Sequence, residues 1–128
     1  DDLGLASALH VLGERVAEHS GLDVEVRVPP GLPELGGDAE LVLYRVAQEA
    51  LTNVVRHAGA SRAEVRLDAP GGRPRLEVED DGKGFPPDGM EGGGVRGMRE
   101  RAVLIGGSLR IGPGEMGGTR VTLELPPP

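Results

Sequence analysis

Cysteine and tryptophan are absent from this 128-residue chain, and tyrosine, phenylalanine and lysine occur once each, as Tyr44, Phe85 and Lys83. Without cysteine there is no disulfide, no thiolate metal ligand and no thiol nucleophile, a composition that suits a reducing compartment. With so few aromatics the core must be aliphatic, and the usual platforms for stacking the bases of a nucleic acid are missing. Positive charge is scarce as well: 14 basic against 21 acidic side chains leave a formal charge of −7, which disfavours nucleic acid and anionic membrane as partners. No apolar run approaches the ~18 residues of a membrane span and the acidic start DDLGLASALH is no signal peptide, so the chain reads as soluble. Its length suits one domain that buries roughly two-thirds of its unfolded surface.

Helical and alternating patterns follow one another along the chain. Leu5, Leu9, Leu12 and Val16 share a helical face, predicting a helix over 3–20 that stops at Gly21. DVEVRVP, 23–29, alternates as a half-buried strand, and so do 62–68, 75–80, 108–112 and 119–125. Asp38 reads as the N-cap of a long helix to Ala58, with Gly59 just beyond. A short helix starts near Val95 and ends at Gly106. The expected fold is a two-layer α/β sandwich, a mixed and mostly antiparallel sheet of about five strands with three helices on one face.

Two features carry chemistry. After RLEVED the pair Asp81-Gly82 would suit a hairpin, but KGFPPDGMEGGG has no alternating partner strand, so the chain leaves the sheet for a glycine-rich loop. That loop ends in Gly92, Gly94 and Gly97 at G-x-G-x-x-G spacing, without the preceding strand that a dinucleotide fold requires. A calcium loop from Asp80 to Glu91 fails because Gly82 and Gly84 offer no side-chain oxygen. What remains is the physics of a phosphate lid, in which glycines let backbone N–H groups approach an anion and a helix N-terminus follows. A carboxylate at Asp80 would repel phosphate and so should have a different task; it could accept a hydrogen bond from a base amine. On the long helix, turning ~100° per residue, Leu43, Ala47, Ala50, Leu51, Val54 and Ala58 form a core face. Glu49, Asn53, Arg56 and His57 form a polar arc at its rim. A solvated helix face would look the same, but an amide able to bind Mg²⁺ beside an arginine and a histidine is what a nucleotide triphosphate needs.

QEALTNVVRHAGA, DDGKGF, GGGVRGMRER and GGT, in this order, resemble the N box and glycine boxes of the ATP-binding fold shared by gyrase, the heat-shock chaperone, histidine kinases and mismatch-repair ATPases. RHAGA, GMRER and GGTRVTLELP are most similar to sensor histidine kinases of the nitrate-sensor and desaturase-regulator type. The resemblance spans 38–125, with 1–37 as a leading helix, strand and loop. It implies that Asp80 receives the adenine amine with Thr119 supporting the base, and that Gly82 and Gly84 let the strand end turn beneath it. It implies that Asn53 is the Mg²⁺ ligand, that Glu49 orients or deprotonates the attacking group, and that Arg56 and His57 contact phosphates. Gly92, Gly94 and Gly97 would form the lid hinge and helix start. Asp81 stands where Asn is commonest and Gly93 where His is frequent. Lys83 reads equally as a solvated turn residue or a phosphate contact.

The resemblance further implies Mg-ATP as phosphoryl donor to a histidine on a separate dimerisation domain, a downstream response regulator, and a cytoplasmic location with no direct membrane contact. The acceptor segment itself is missing: His10, in SALHV, and His19, in AEHS, lack the acidic neighbour of an acceptor site and read as helix-surface residues. The chain therefore looks like the catalytic and ATP-binding domain alone. Two other classes share much of this pattern, a serine kinase that binds a sigma factor and a nucleotide-responsive interaction module without turnover.

Overall fold

The computed structural model describes residues 4–84 and 93–128. Helix α1, Leu5–Ser20, leads through the left-handed Gly21 into strand β1, Asp23–Arg27. Helix α2, Gly37–Asn53, continues into a π-helical turn, Val54–Ala58. Strands β2, Arg62–Asp68, and β3, Arg75–Asp80, form a hairpin, followed by helix α3, Gly93–Leu104, and the hairpin of β4, Ser108–Pro113, and β5, Thr119–Glu124. The sheet order is β1-β2-β3-β5-β4. Only β1 and β2 run parallel, as the α2 crossover between them requires; the other neighbours are antiparallel.

One face of this mixed sheet carries the core. From β2, β3 and β5 it presents Ala63, Val65, Leu67, Leu76, Val78, Val121 and Leu123, all buried. Against them lie Leu5, Leu9 and Leu12 of α1, Leu43, Val46, Ala47, Ala50 and Leu51 of α2, and Val95, Met98 and Ala102 of α3. The expected apolar stripes are thus the packed ones, and at about 25 cal/mol per Å² of apolar surface they dominate stability. The other face is a lattice of charge: Arg66 pairs with Glu64, Glu77 and Glu79, and Arg120 with Glu79 and Glu115.

Three boundaries near the site depart from expectation. The N-cap of α2 is Gly36, with extended backbone and no side-chain cap; Asp38 lies inside the first turn with Glu40, where both favour the helix dipole. The second departure matters more for function. Residues 54–58 are not α-helical, so positions beyond Asn53 are not spaced by an ideal helical turn. Gly59 closes this segment with φ 61°, a left-handed cap that glycine adopts without a Cβ penalty. Helix α3 begins at Gly93 rather than near Val95.

Candidate functional site

Asp80 is the last residue of β3, paired with Ala63, and its alternation points it to the helix-covered side. Only 2% of it is exposed. Its Oδ1 accepts the backbone N–H of Gly82 at 2.8 Å, and the backbone of Thr119 supplies a further hydrogen bond. Burial raises its pKa above the ordinary 3.8, against the lowering effect of those two N–H donors, and the neighbouring charges of Asp81 and Glu79 add to the rise. A carboxylate held this way at a strand end is fixed in orientation by two backbone donors.

Glycines close the walls around it. A Cβ on Gly118 would collide with Asp80 Oδ1, and one on Gly82 with the carbonyl oxygen of Ala58. Lys83 N–H donates to that same carbonyl at 2.9 Å, so the π-helical turn and the β3 exit are stitched together. Gly84 takes φ 79° beside Thr119, whose Oγ1 would lie 3.6 Å from an added Cβ. Asp81 faces elsewhere. Its carboxylate accepts the N–H groups of Ser61 and Arg62 at 2.8 and 2.9 Å, bonds that hold its pKa below 3.8. It fastens the turn that leads into β2.

A second cluster lies one turn back along α2. Glu49 and Asn53, four residues apart, share a side, and both face the start of α3: a Cβ on Gly94 would lie 2.5 Å from Glu49 Oε2 and 3.4 Å from Asn53 Oδ1. Asn53 is 8% exposed, and its side chain has no hydrogen-bond partner among the described residues. Arg56 and His57 are exposed on the π-helical turn. Gly97 lies inside α3, close to the Arg101 guanidinium. Gly92 falls outside the described residues, as does most of the expected lid. His10 and His19 are exposed on α1, as their sequence setting suggests.

Of the sequence-derived residues, Asp80, Gly82, Gly84 and Thr119 gather at the β3 exit, and Glu49, Asn53 and Gly94 meet at the start of α3, whereas Arg56, His57 and Gly97 join neither group. Sequence reasoning placed Ala58 only in the core face and Gly118 only within the GGT box, and gave neither a place beside Asp80, although the run GPGEMGGT signals a tight β4–β5 turn with close backbone approach. Among the described residues no three His, Asp or Glu side chains could hold a metal on their own. No described helix is long and apolar enough to cross a membrane.

Comparison with known proteins agrees with this architecture. Residues 38–128 match the family described as histidine kinase-, DNA gyrase B-, and HSP90-like ATPase. The sensor histidine kinase MctS of Rhizobium johnstonii is 43% identical over 98% of the chain. The signal transduction histidine-protein kinase/phosphatase UhpB of Salmonella typhimurium is 38% identical over 98% of it. The chain spans 28% and 25% of the length of those two relatives. Among solved structures, the ATP binding domain of PrrB from Mycobacterium tuberculosis superposes with a TM-score of 0.81 at 23% identity, covering 98% of this chain and 95% of that one, and so shares its fold. On the match over residues 38–128, the chain belongs to the histidine kinase-, DNA gyrase B-, and HSP90-like ATPase family.

Proposed function

We propose that residues 1–128 are the single catalytic and ATP-binding domain of a sensor histidine kinase, which binds Mg-ATP and donates the γ-phosphoryl group to a histidine on a separate dimerisation domain. The observation that carries this reading is Asp80, a buried carboxylate at a strand end, walled by Gly82 and Gly118, which suits a hydrogen-bond donor such as the adenine amine. Thr119 supports the base beside it, and Gly82 and Gly84 give the backbone room to pass beneath.

Phosphates belong at the second cluster. Asn53 fits the metal's needs: its amide oxygen is a hard ligand, and with no carboxylate cage among the described residues a Mg²⁺ ion would take its other oxygens from phosphate and water. That ion would neutralise charge on the transferring group. Arg56 and His57, exposed at the end of the same helix, are assigned to phosphate oxygens, and Gly92, Gly94 and Gly97 to the lid and the dipolar start of α3. In the transfer, an acceptor imidazole nitrogen bonds to the γ-phosphorus as the bond to the ADP oxygen breaks. Glu49 orients that imidazole or takes its proton. The domain's contribution is positioning and charge stabilisation. Partners on this reading are the parent's dimerisation and phosphoacceptor domain and a downstream response regulator, in the cytoplasm.

A titration of the chain with ATP and GTP in Mg²⁺ tests the base assignment. ATP should bind and GTP should be at least tenfold weaker, because guanine sets a carbonyl oxygen against the carboxylate. Equal binding of the two would refute it.

A further inference from the structure

Glu79 and Asp80 are successive residues of β3 and so point to opposite faces of the sheet, yet both grip the same β4–β5 turn. Glu79 lies on the charged face, away from the pocket, and its side chain is only 2% exposed. Its Oε2 accepts the N–H of Met116 at 2.8 Å, and its Oε1 lies 3.3 Å from both Arg66 Nη2 and Arg120 Nε. Arg120 in turn reaches Glu115 at 2.9 Å, inside the turn. Gly114 is the residue that makes room: a Cβ there would come within 2.5 Å of Oε2. The turn closes with Gly114 N–H on the Gly118 carbonyl at 3.0 Å. Gly118 and Thr119 then lie directly against Asp80. Burial disfavours the Glu79 charge, but the Met116 N–H and the Arg120 and Arg66 guanidiniums outweigh it and hold its pKa below 4.5.

We propose that Glu79 is a positioning residue for base recognition: through Met116 and Arg120 it fixes the β4–β5 turn, and with it the Gly118–Thr119 wall against which Asp80 reads the base. This rests on the ATP-binding reading above and adds a residue on the far side of the sheet to it. Ordinary surface ion pairs contribute little, but here a buried carboxylate ties down a turn that forms part of a ligand pocket.

The test uses Glu79→Ala, Glu79→Gln, Gly114→Ala and, as a control on the same face, Glu77→Ala. Amide hydrogen exchange at Met116 and Thr119 is measured without nucleotide, then ATP and GTP affinities are measured in Mg²⁺. Glu79→Ala should speed exchange at both amides and weaken ATP about tenfold, with GTP unchanged, so that discrimination narrows. Glu79→Gln keeps an acceptor for Met116 N–H and should recover most of the affinity. Gly114→Ala displaces the carboxylate without deleting it and should reproduce the loss, which decides the matter if Glu79→Ala fails to fold. Glu77→Ala should leave the ATP-to-GTP ratio unchanged. A folded Glu79→Ala or Gly114→Ala chain with unmutated exchange at Thr119, or with an unmutated ATP-to-GTP ratio, overturns the proposal alone. Failure of the unmutated chain to bind ATP overturns the underlying reading together with it.

Discussion

Replacing Asp80 by Asn separates the stability of the pocket from its function. An Asn side chain keeps an oxygen for the Gly82 N–H that now bonds Asp80 Oδ1, so the fold should be preserved. Its amide nitrogen then replaces a carboxylate oxygen, setting a donor against the adenine amine. The charge-assisted bond lost is worth about 1.5–3 kcal/mol. At ~1.4 kcal/mol per decade, ATP affinity should fall about ten- to hundredfold. Guanine should lose less or gain, because its carbonyl oxygen can accept from the new amide. Stability should move the other way. Since burial raises the folded pKa of Asp80 above 3.8, the folded chain holds that proton to higher pH than the unfolded chain, and stability is lost as pH rises through the folded pKa. Asp80→Asn removes this loss, so its thermal midpoint at pH 7 should equal or exceed that of the unmutated chain, with the advantage vanishing in acid below 3.8. Calorimetry against pH and a titration with both nucleotides check the two halves. A folded Asp80→Asn chain that binds ATP within about twofold of the unmutated one would refute the reasoning.

Two further perturbations address other parts of the account. Asn53→Ala should abolish most of the benefit of Mg²⁺ to ATP binding while leaving thermal stability nearly unchanged, since its side chain bonds no other described residue; an unaltered Mg²⁺ dependence in paired titrations would show the metal is held elsewhere. Leu123→Ala, at a fully buried position of β5, should cost about 2–5 kcal/mol in denaturant unfolding, and a cost below about 1 kcal/mol would contradict the assigned core.

How far the sequence reveals this arrangement depends on the range of the forces involved. Alternation in RLEVED and TRVTLEL is a local record of one buried face, and β3 and β5 follow it. Apolar spacing in α1 and α2 likewise identified Leu9, Leu43 and Leu51, all essentially inaccessible. Strand order is not local: β5 inserts between β3 and β4 because the β4–β5 hairpin returns to pair Val121 with Val78. The π-helical turn was not legible for the same reason, since it is met by the Lys83 N–H on Ala58 and by Gly82 packed beneath it, contacts from a segment over twenty residues away in sequence. Asp80 could be separated from Asp81 by alternation alone, and the structure adds that Asp81 is spent on Ser61 and Arg62. Glu79 illustrates the limit: its alternation marks a solvated face, and only the cross-strand arginines and the β4–β5 turn bury it.

On the proposed reading this chain supplies the phosphoryl donor site and not the acceptor. The most direct test of that reading mixes the purified chain with γ-labelled ATP and Mg²⁺, with and without the dimerisation helices of a relative such as the Rhizobium johnstonii sensor histidine kinase. No label is expected on the chain alone, where His10 and His19 are exposed on α1 and read as surface residues, and acid-labile phosphohistidine is expected on the added helices, lost in Glu49→Ala and Asn53→Ala. Acid-labile label accumulating on the isolated chain, phosphoserine on the partner, or no transfer from a chain that binds ATP would contradict it.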